Sequence, residues 1–387
     1  MQLSIVIPSF NERNNVKAIV DRIEGALQGI QLAYEIWFID DSSDDTPRIL
    51  AELASQNPHV NFHHRSAKSG LGTAVVEGFR RSKGEYIVVM DADLQHPPEL
   101  IPEMVNQLRE VSDVVIPSRF IAGGSDGGLN AFRKLVSWTA RSIGRLAIKR
   151  LRKVTDCTGG FFGLRRQVVE RADLNPVGWK ILIEVLVKGS YQSVVEIPYA
   201  FLARNADESK MSLAEQWNYL RHILKLLWSS AEDRRFVLYC LVGGLGVLVN
   251  LAAMSVLFYG FRIHAVAASV LASVIAMIHN FLWHDRVTWK EHRQAGWRKT
   301  LRMPVFVLIS LSGIAVTALF VRLFEVLGLW ELAGQCVGIV AATGWTFLAN
   351  NRWTWPRSLQ EMPDSACETG SSQVLYHTVQ TTRERES

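Results

Sequence analysis

Short apolar runs alternate with amphipathic stretches over roughly the first 230 residues. The run Leu3–Ile7 precedes a stretch whose apolar residues recur at helical spacing from Val16 to Leu27. Further apolar runs follow at 35–39, 60–64 and 87–90. One amphipathic stretch near 46–55 separates the first two of these runs, and another, which ends near 82, separates the last two. Strands that alternate with helices in this way are typical of a parallel sheet covered on both faces. We therefore predict an α/β domain over 1–230 with a Rossmann-like, mostly parallel sheet.

The pattern changes after about residue 236, where apolar residues dominate. Four apolar stretches lie at about 236–258, 265–281, 305–327 and 333–348. A membrane-spanning helix needs about 17–25 such residues. We predict a helical membrane domain over 236–355 with four spans. The polar, aperiodic residues 356–387 are predicted to be a disordered tail.

The charges in the loops predict the orientation of these spans. Six basic residues lie within 284–302, whereas the connections 260–265 and 328–333 hold only Arg262 between them. Because basic loops stay in the cytoplasm, both termini and the middle loop are expected there. The chain opens directly on a strand, so we expect no cleavable signal peptide and a cytoplasmic α/β domain.

The membrane domain repeats itself. The segment 280–289 after the second span resembles 350–355 after the fourth, and both end in Thr-Trp. Gly243–Gly246 in the first span has a counterpart in Ser312–Gly313 of the third. A duplicated helical hairpin explains both similarities, and small residues allow helices to pack closely.

Two basic amphipathic stretches, 133–151 and 213–228, precede the spans. Trp and Leu on one side of a basic helix are typical of the membrane interface, although such a face can also pack into a domain core. The net charge is +5 and the basic residues cluster near the apolar spans, which favours a membrane surface over nucleic acid as partner. The four cysteines have no metal-ligand spacing.

Acidic residues follow several of the predicted strands. Asp91 and Asp93 come directly after the run Ile87–Met90. In the same manner, Asp40 and Asp41 directly follow the run 35–39. Segment 8–12 also follows a strand, and Asn11 is expected to cap the next helix. In parallel sheets ligands bind beyond the carboxyl ends of the strands. Carboxylates there can bind Mg²⁺ or Mn²⁺, which would bridge to the phosphates of a nucleotide.

Four motifs carry a more specific resemblance: Ile-Pro-Ser-Phe-Asn-Glu, Ile-Asp-Asp-Ser-Ser, Asp-Ala-Asp-Leu-Gln-His-Pro-Pro-Glu and Gly-Trp-Lys-Ile-Leu-Ile-Glu. From Gln2 to about Trp228 the chain resembles family 2 glycosyltransferases with a GT-A fold, and most of all the dolichyl-phosphate mannose synthases. The membrane half resembles the GtrA-like four-span proteins. The resemblance implies inverting transfer of mannose from GDP-mannose to a polyprenyl phosphate.

The resemblance also implies site residues. The base and ribose site corresponds to Pro8, Phe10, Glu12, Ile39 and Asp41. The diphosphate and metal site corresponds to Asp91, Ala92 and Asp93, with Asp93 and Gln95 as the metal ligands. Cations around the donor and acceptor phosphates correspond to Arg119, Arg133, Lys180, Arg204 and Lys210. Catalysis is assigned to Asp91, Asp93, Arg119, Lys180 and Arg204. Phe10 stands where the family commonly has Tyr, and Gly159 where it has Ser or Thr, so Asp156 is interpreted as a structural carboxylate.

Two other functions stay open from the sequence. One is a polyprenyl-phosphate glucose or other hexose synthase that uses a UDP-sugar, because related synthases share Asp-Ala-Asp-Leu-Gln. The other is a lipid-sugar flippase or scaffold with an inactive nucleotide domain, which intact Asp91, Asp93 and Gln95 argue against. A processive polysaccharide synthase is disfavoured, because no Gln-x-x-Arg-Trp motif follows the two aspartates.

Overall fold

The computed structural model describes residues 1–66, 70–125, 138–139, 141–145, 147–201, 213–290, 298–356 and 375–378. The chain divides into two compact units. The first comprises Met1–Trp228 with Ser372–Ser387, and the second comprises Ser229–Ser371.

An eight-stranded sheet forms the centre of the first unit. Its strands are β1 Leu3–Ser9, β2 Tyr34–Asp40, β3 Val60–His64, β4 Tyr86–Val89, β5 Val114–Ser118, β6 Phe162–Arg165, β7 Ser193–Pro198 and β8 Leu375–Thr378. They lie in the order β3-β2-β1-β4-β6-β5-β7-β8. Only β6 runs antiparallel to its neighbours. The predicted mostly parallel α/β domain of GT-A type is confirmed.

Helices cover both faces of this sheet. They are α1 Val16–Leu27, α2 Thr46–Gln56, α3 Leu71–Arg81, α4 Ile101–Glu110, α5 Gln167–Glu170, α6 Ile181–Lys188 and α7 Leu213–Ser229. One core contains Ile5 with residues of α1, α2 and α4, and the other contains Val6 with residues of α3, α6 and α7. Burial on both faces explains why β1 is apolar nearly throughout, since no face of it contacts water.

Helix α7 has two apolar faces. Tyr219, Ile223 and Leu226 are buried in the core of the first unit. A hydrogen bond between His222 Nε2 and Glu184 Oε2 at 3.0 Å joins α7 to α6. The opposite face carries the exposed side chains of Trp217, Leu220, Leu224 and Trp228. One face of this helix therefore packs into the core, and the interface interpretation stays a prediction for the opposite face.

The tail differs from its predicted disorder at one place. Residues 375–378 form β8, which pairs in parallel with Ser193–Glu196 of β7. The edge of a sheet offers unpaired backbone groups, and β8 occupies those of β7. For the rest of 357–387, which lies outside the described residues, disorder stays a prediction.

The second unit is helical. Its helices are α8 Ala231–Ser255, α9 Ala265–Trp283, α10 Arg298–Val326 and α11 Glu331–Ala349. Among the described residues, these four are long and apolar enough to cross a membrane, with spans at Asp233–Gly260, Ala265–Thr288, Leu301–Val326 and Leu332–Thr354. The four predicted spans are confirmed, each starting at or before its predicted first residue.

The two sequence repeats contact each other through the segments that follow α9 and α11. Helices α9 and α11 each run into a five-residue π-helical turn, His284–Thr288 and Asn350–Thr354. The tryptophans that follow, Trp289 and Trp355, are fully buried and stack with their ring centroids 4.3 Å apart. Trp289 Nε1 donates to Asn351 Oδ1 at 3.1 Å, and Trp355 Nε1 donates to Asp285 Oδ1 at 3.0 Å. Each repeat thus binds the indole of the other.

Candidate active site

The carboxyl ends of β1, β2, β4 and β5 lie along one edge of the sheet. Pro8 pairs with Ile39 in the parallel ladder, and Val6 pairs with Val89, so β1 lies between β2 and β4. The backbone N–H of Asp41 donates to Ser9 O at 3.0 Å. The sheet register therefore brings together the first two of the predicted ligand-binding segments, 8–12 and 39–41, and places Asp91 beside them.

Asn11 joins two loops of this edge rather than capping α1, so the capping prediction is wrong. Its φ of 58° is in the left-handed region, which Asn tolerates better than most residues. Asn11 N donates to Ser42 Oγ at 2.7 Å, and Ser43 N donates to Asn11 Oδ1 at 2.9 Å. These bonds hold Phe10 and Glu12, both half-buried, in the loop next to Asp41.

Asp40 and Asp41 have different environments. Asp40 is fully buried and accepts hydrogen bonds from Ser9 Oγ at 2.8 Å and Ser42 Oγ at 2.6 Å, which makes it structural. The Asp41 carboxylate faces the guanidinium of Arg65, whose Nε donates to Oδ1 at 2.6 Å. Arg65 was missed by sequence reasoning, although it directly follows β3 at the same edge. The strand-end criterion applied to basic residues would have found it.

The loop after β4 presents the two predicted carboxylates. Ala92 is buried, whereas Asp91 and Asp93 are partly exposed on either side of it. Leu94 has a φ of 62°, and the backbone N–H of Gln95 donates to Asp93 Oδ1 at 3.2 Å. In this Asx turn the Asp93 carboxylate bonds the backbone two residues further along the chain.

His96 stabilises this loop through a hydrogen bond to the backbone of Asp91. It was not among the predicted site residues. Asp91 N donates to His96 Nδ1 at 3.0 Å, so this nitrogen is the acceptor and the proton lies on Nε2. The ring is 3% exposed and stacks on Phe161 at 5.1 Å. Burial lowers the pKa of His96 to about 4, with Asp93 opposing the shift, so the ring is neutral at physiological pH.

The Asp91 carboxylate packs against Gly160. A Cβ at Gly160 would lie 2.8 Å from Asp91 Oδ2, closer than side chains approach one another. Gly160 precedes β6, the antiparallel strand next to β4. Gly160 therefore leaves room for the first carboxylate of the motif.

The oxygen donors of this loop fit a hard divalent cation. Asp91, Asp93 and Gln95 supply carboxylate and carboxamide oxygens within five residues. Within the described residues, no three His, Cys, Asp or Glu side chains are placed to hold a metal by themselves. Mg²⁺ is commonly held by one or two carboxylates together with substrate phosphates, and this donor set is of that kind.

Arg119, at the end of β5, forms a buried ion pair with Asp156. Its Nε donates to Asp156 Oδ2 at 2.8 Å and its Nη2 donates to Oδ1 at 3.0 Å. Asp156 is fully buried, and its backbone N–H donates to Glu196 Oε1 at 3.1 Å. Asp156 therefore orients the guanidinium, in agreement with its interpretation as a structural carboxylate. Arg141 lies close by, with its guanidinium carbon 3.3 Å from the Phe120 ring centroid.

Lys180 precedes α6 and is half-buried. Its Nζ lies 4.3 Å from the Trp179 ring centroid and 5.6 Å from that of Tyr219 on α7. Within the described residues this ammonium lies over these two rings and has no hydrogen-bond acceptor. Burial lowers the pKa of Lys180 to about 8, and the Asp156 charge opposes the shift. A desolvated cation without a carboxylate partner suits an incoming anion.

Three predicted site residues, Arg133, Arg204 and Lys210, lie outside the described residues. Their assignment to phosphate groups stays a prediction.

Substitutions at His96 would separate its hydrogen bond from its packing. We expect His96→Phe to weaken Mn²⁺ affinity by roughly five- to a hundredfold, because a buried Asp91 N–H loses its acceptor at a cost of about 1–3 kcal/mol. His96→Asn keeps an acceptor near the position of Nδ1 and should retain more affinity. Mn²⁺ titration followed by electron paramagnetic resonance measures both. Equal affinities in His96→Phe and the unsubstituted protein would show that this bond does not shape the loop.

Two family models match the chain. Residues 4–172 match the model of glycosyl transferase family 2, and residues 238–355 match that of the GtrA/DPMS transmembrane domain. Together with the sheet, its acidic edge and the four apolar helices, they define a membrane-bound glycosyltransferase.

Curated relatives specify the family further. A dolichol-phosphate mannosyltransferase from Pyrococcus furiosus is 39% identical over 356 residues, which cover 92% of this chain and 99% of that protein. Proteins of the same name from Mycosarcoma maydis and Saccharomyces cerevisiae are 33% and 32% identical, each over 58% of this chain and over 78% and 87% of their own lengths. The chain belongs to the dolichol-phosphate mannosyltransferase-like members of glycosyltransferase family 2.

Among solved structures, glucosyl-3-phosphoglycerate synthase from Mycobacterium tuberculosis, in complex with Mn²⁺, UDP-glucose and phosphoglyceric acid, superposes with a TM-score of 0.44. The identity is 19%, over 59% of this chain and 79% of that one. A TM-score this low supports no inference about the donor or the metal of this chain.

Proposed function

We propose that this protein transfers mannose from GDP-mannose to a polyprenyl phosphate at the cytoplasmic face of a membrane. The observation that carries the proposal is the acidic loop after β4, Asp91 to Gln95, in a chain that aligns with nearly the whole of a dolichol-phosphate mannosyltransferase. The product would be a polyprenyl-phosphate mannose.

The donor would bind along the strand ends. Pro8, Phe10 and Glu12 with Ile39 and Asp41 would hold the base and ribose, and the paired ends of β1 and β2 support this grouping. Asp91, Ala92 and Asp93 would lie next to the diphosphate. Arg65 would fix the Asp41 carboxylate for its contact with the ribose, because it already binds that carboxylate through two nitrogens.

The reaction needs no general base in this proposal. A phosphate oxygen of the lipid is already ionised at neutral pH and attacks the anomeric carbon of mannose. The bond from this carbon to the donor diphosphate breaks as the new bond forms on the opposite face, which inverts the configuration. The rate would come from positioning and from neutralisation of the leaving diphosphate.

Cations would carry most of that neutralisation. Mg²⁺ or Mn²⁺, held by Asp93 and Gln95 with help from Asp91, would supply charge neutralisation on the leaving group. Arg119, oriented by Asp156, offers a planar guanidinium that suits phosphate oxygens. Lys180 contributes a compact charge whose desolvation strengthens its attraction to an anion.

The exposed face of α7 supports an acceptor that arrives from a membrane. Trp217 is 63% exposed and Leu224 is 57% exposed on the face opposite the core. Large exposed apolar side chains beside basic ones are typical of helices that lie at the lipid surface. The basic segment 284–302 supports a cytoplasmic site, where nucleotide sugars are available to it.

A donor panel tests the proposal. The full-length protein in membranes, supplied with a short polyprenyl phosphate, is incubated with labelled GDP-mannose, UDP-glucose or other nucleotide hexoses. We expect GDP-mannose to give by far the most chloroform-soluble label. A preference for UDP-glucose would replace mannose by glucose in the proposal, and no lipid product from any donor would refute the transferase activity.

Arg204 and Lys210 provide a test of acceptor-phosphate binding. We expect Arg204→Ala or Lys210→Ala to lower turnover roughly ten- to hundredfold, because a charge-assisted hydrogen bond is worth about 1.5–3 kcal/mol. Donor affinity should change much less, since segments 8–12 and 39–41 are untouched. Steady-state kinetics with donor and acceptor varied separately measure both effects. Near-normal turnover in both variants would remove these residues from the site.

A further inference from the structure

A cavity of about 480 Å³ lies among α8, α9 and α10 within the membrane-spanning part of the second unit. Small-molecule sites typically enclose about 300–1,000 Å³. Among its lining residues four are polar, Asn250, Ser273, Asn280 and Ser310, and none is charged. Polar side chains inside spans are costly in hydrocarbon, so their convergence on one cavity requires an explanation.

Two carboxamides in this cavity have unsatisfied groups. Asn250 Nδ2 donates to Ser273 Oγ at 3.2 Å, and within the described residues Asn250 Oδ1 has no donor. Asn280 Oδ1 lies 3.2 Å from His279 Nδ1, and Asn280 Nδ2 has no acceptor in the same part of the chain. Asn280 packs directly on Gly246, which is one helical turn from Asn250. The free donor and the free acceptor are therefore about 6 Å apart along α8.

The second repeat shows that helix packing does not need these amides. Thr346 lies nine residues before Trp355, as Asn280 lies nine before Trp289. Thr346 packs on Gly313 as Asn280 packs on Gly246. However, Thr346 Oγ1 donates to Ala342 O at 2.7 Å and accepts from Tyr239 Oη at 2.9 Å, so it is satisfied within the protein. At this position of the second repeat no hydrogen-bonding capacity is left unused, whereas the first repeat keeps the free Asn280 Nδ2.

We propose that this cavity binds the uncharged, hydroxyl-bearing headgroup of a lipid. A hydroxyl both donates and accepts, so neighbouring hydroxyls match Asn250 Oδ1 and Asn280 Nδ2 together. A phosphate alone is a poor match, because no cation lines the cavity to balance its charge. Val247, Leu251 and Ile314 on the rim are exposed and apolar, which suits the lipid chain attached to such a headgroup. The proposal does not depend on the sugar donor of the first unit.

Photolabelling of the full-length protein in phosphatidylcholine nanodiscs tests this site. The probe is octyl glucoside with a diazirine in its alkyl chain, and the matched control probe is its permethylated form, which lacks hydroxyls. We expect the glucoside to label peptides of α8 and α9 and the permethylated probe to label them much less. Asn250→Leu and Asn280→Leu should each reduce labelling roughly three- to fifteenfold, the range expected for one hydrogen bond between helices in a membrane.

Thr343→Val is the matched control variant, because it removes a hydroxyl on α11 that lies outside the cavity and, in the part of the chain that the structure describes, bonds only to Ile339 O. Its labelling should equal that of the unsubstituted protein. Competition with a hexosyl polyprenyl phosphate and with phosphatidylglycerol distinguishes a glycosyl headgroup from a glycerol headgroup. If Asn280→Leu disturbs folding, Asn250→Leu decides the test, since within the described residues the Asn250 side chain bonds only to Ser273. Equal labelling by both probes, or full labelling of Asn250→Leu, would mean that alkyl chains merely fill the cavity.

Discussion

Asp93→Ala is expected to reduce transfer by roughly a thousandfold or more, to background. The Asp93 carboxylate is partly exposed in the loop after β4, and it accepts a hydrogen bond from the backbone N–H of Gln95, the other proposed metal ligand. Loss of a metal that screens a diphosphate removes several kcal/mol of transition-state stabilisation. Labelled product formation measures the activity, and Mn²⁺ binding to the purified full-length protein measures the metal site.

Two controls make this prediction specific. Asp21→Ala removes an exposed carboxylate in the middle of α1, outside the loops at the strand ends, and should leave activity and Mn²⁺ binding unchanged. The unsubstituted protein in excess chelator should match Asp93→Ala. Full activity of Asp93→Ala, or of the unsubstituted protein without divalent cations, would refute the metal assignment.

Lys180→Met is expected to lower turnover by about a hundred- to a thousandfold. Methionine preserves much of the packing against Trp179 and Tyr219 but removes the charge. Removal of one preorganised charge-stabilising donor in an active site typically costs that much. The free energy of unfolding should fall little, because the ammonium forms no ion pair among the described residues. Kinetics and denaturant unfolding of the same variant separate the two effects.

The pH dependence supplies a second test of Lys180. Burial lowers the pKa of its ammonium to about 8, so the charged fraction is nearly complete below this pH and falls as the pH rises through it. We expect kcat/KM to decline on the alkaline side near pH 8, since this profile reports the free enzyme. Lys180→Arg stays charged and should lose that decline. An alkaline limb that persists in Lys180→Arg would assign it to another group.

The sequence predicts the sheet and its acidic edge well for a physical reason. Parallel strands buried on both faces must be apolar along their length, so β1 and β4 stand out against the polar loops that follow. Because these loops share one edge, Asp41 and Asp91 could be grouped although they are 50 residues apart. The spans are equally visible, since a helix that satisfies its own backbone in a bilayer needs a long, continuous run of apolar residues.

Contacts between side chains could not be predicted in the same way. Asn11 was expected to cap a helix, but its left-handed backbone and the hydroxyl of Ser42 gave it partners in another loop. The pairing of Arg65 with Asp41 depends on β3 lying next to β2. The convergence of Asn250 Oδ1 and Asn280 Nδ2 on one cavity can be recognised only when the packing of α8, α9 and α10 is known. In each case tertiary position, which local pattern does not encode, determines the partner.

The most direct test of the proposed activity is transfer of label from GDP-[¹⁴C]mannose by the purified full-length protein with two matched acceptors. One acceptor is a short polyprenyl phosphate, and the other is the corresponding polyprenol without phosphate. We expect chloroform-soluble label only with the phosphate, only with Mg²⁺ or Mn²⁺ present, and not with Asp93→Ala. Label on the polyprenol, or equal labelling by Asp93→Ala, would contradict phosphate attack at a site built on the loop after β4.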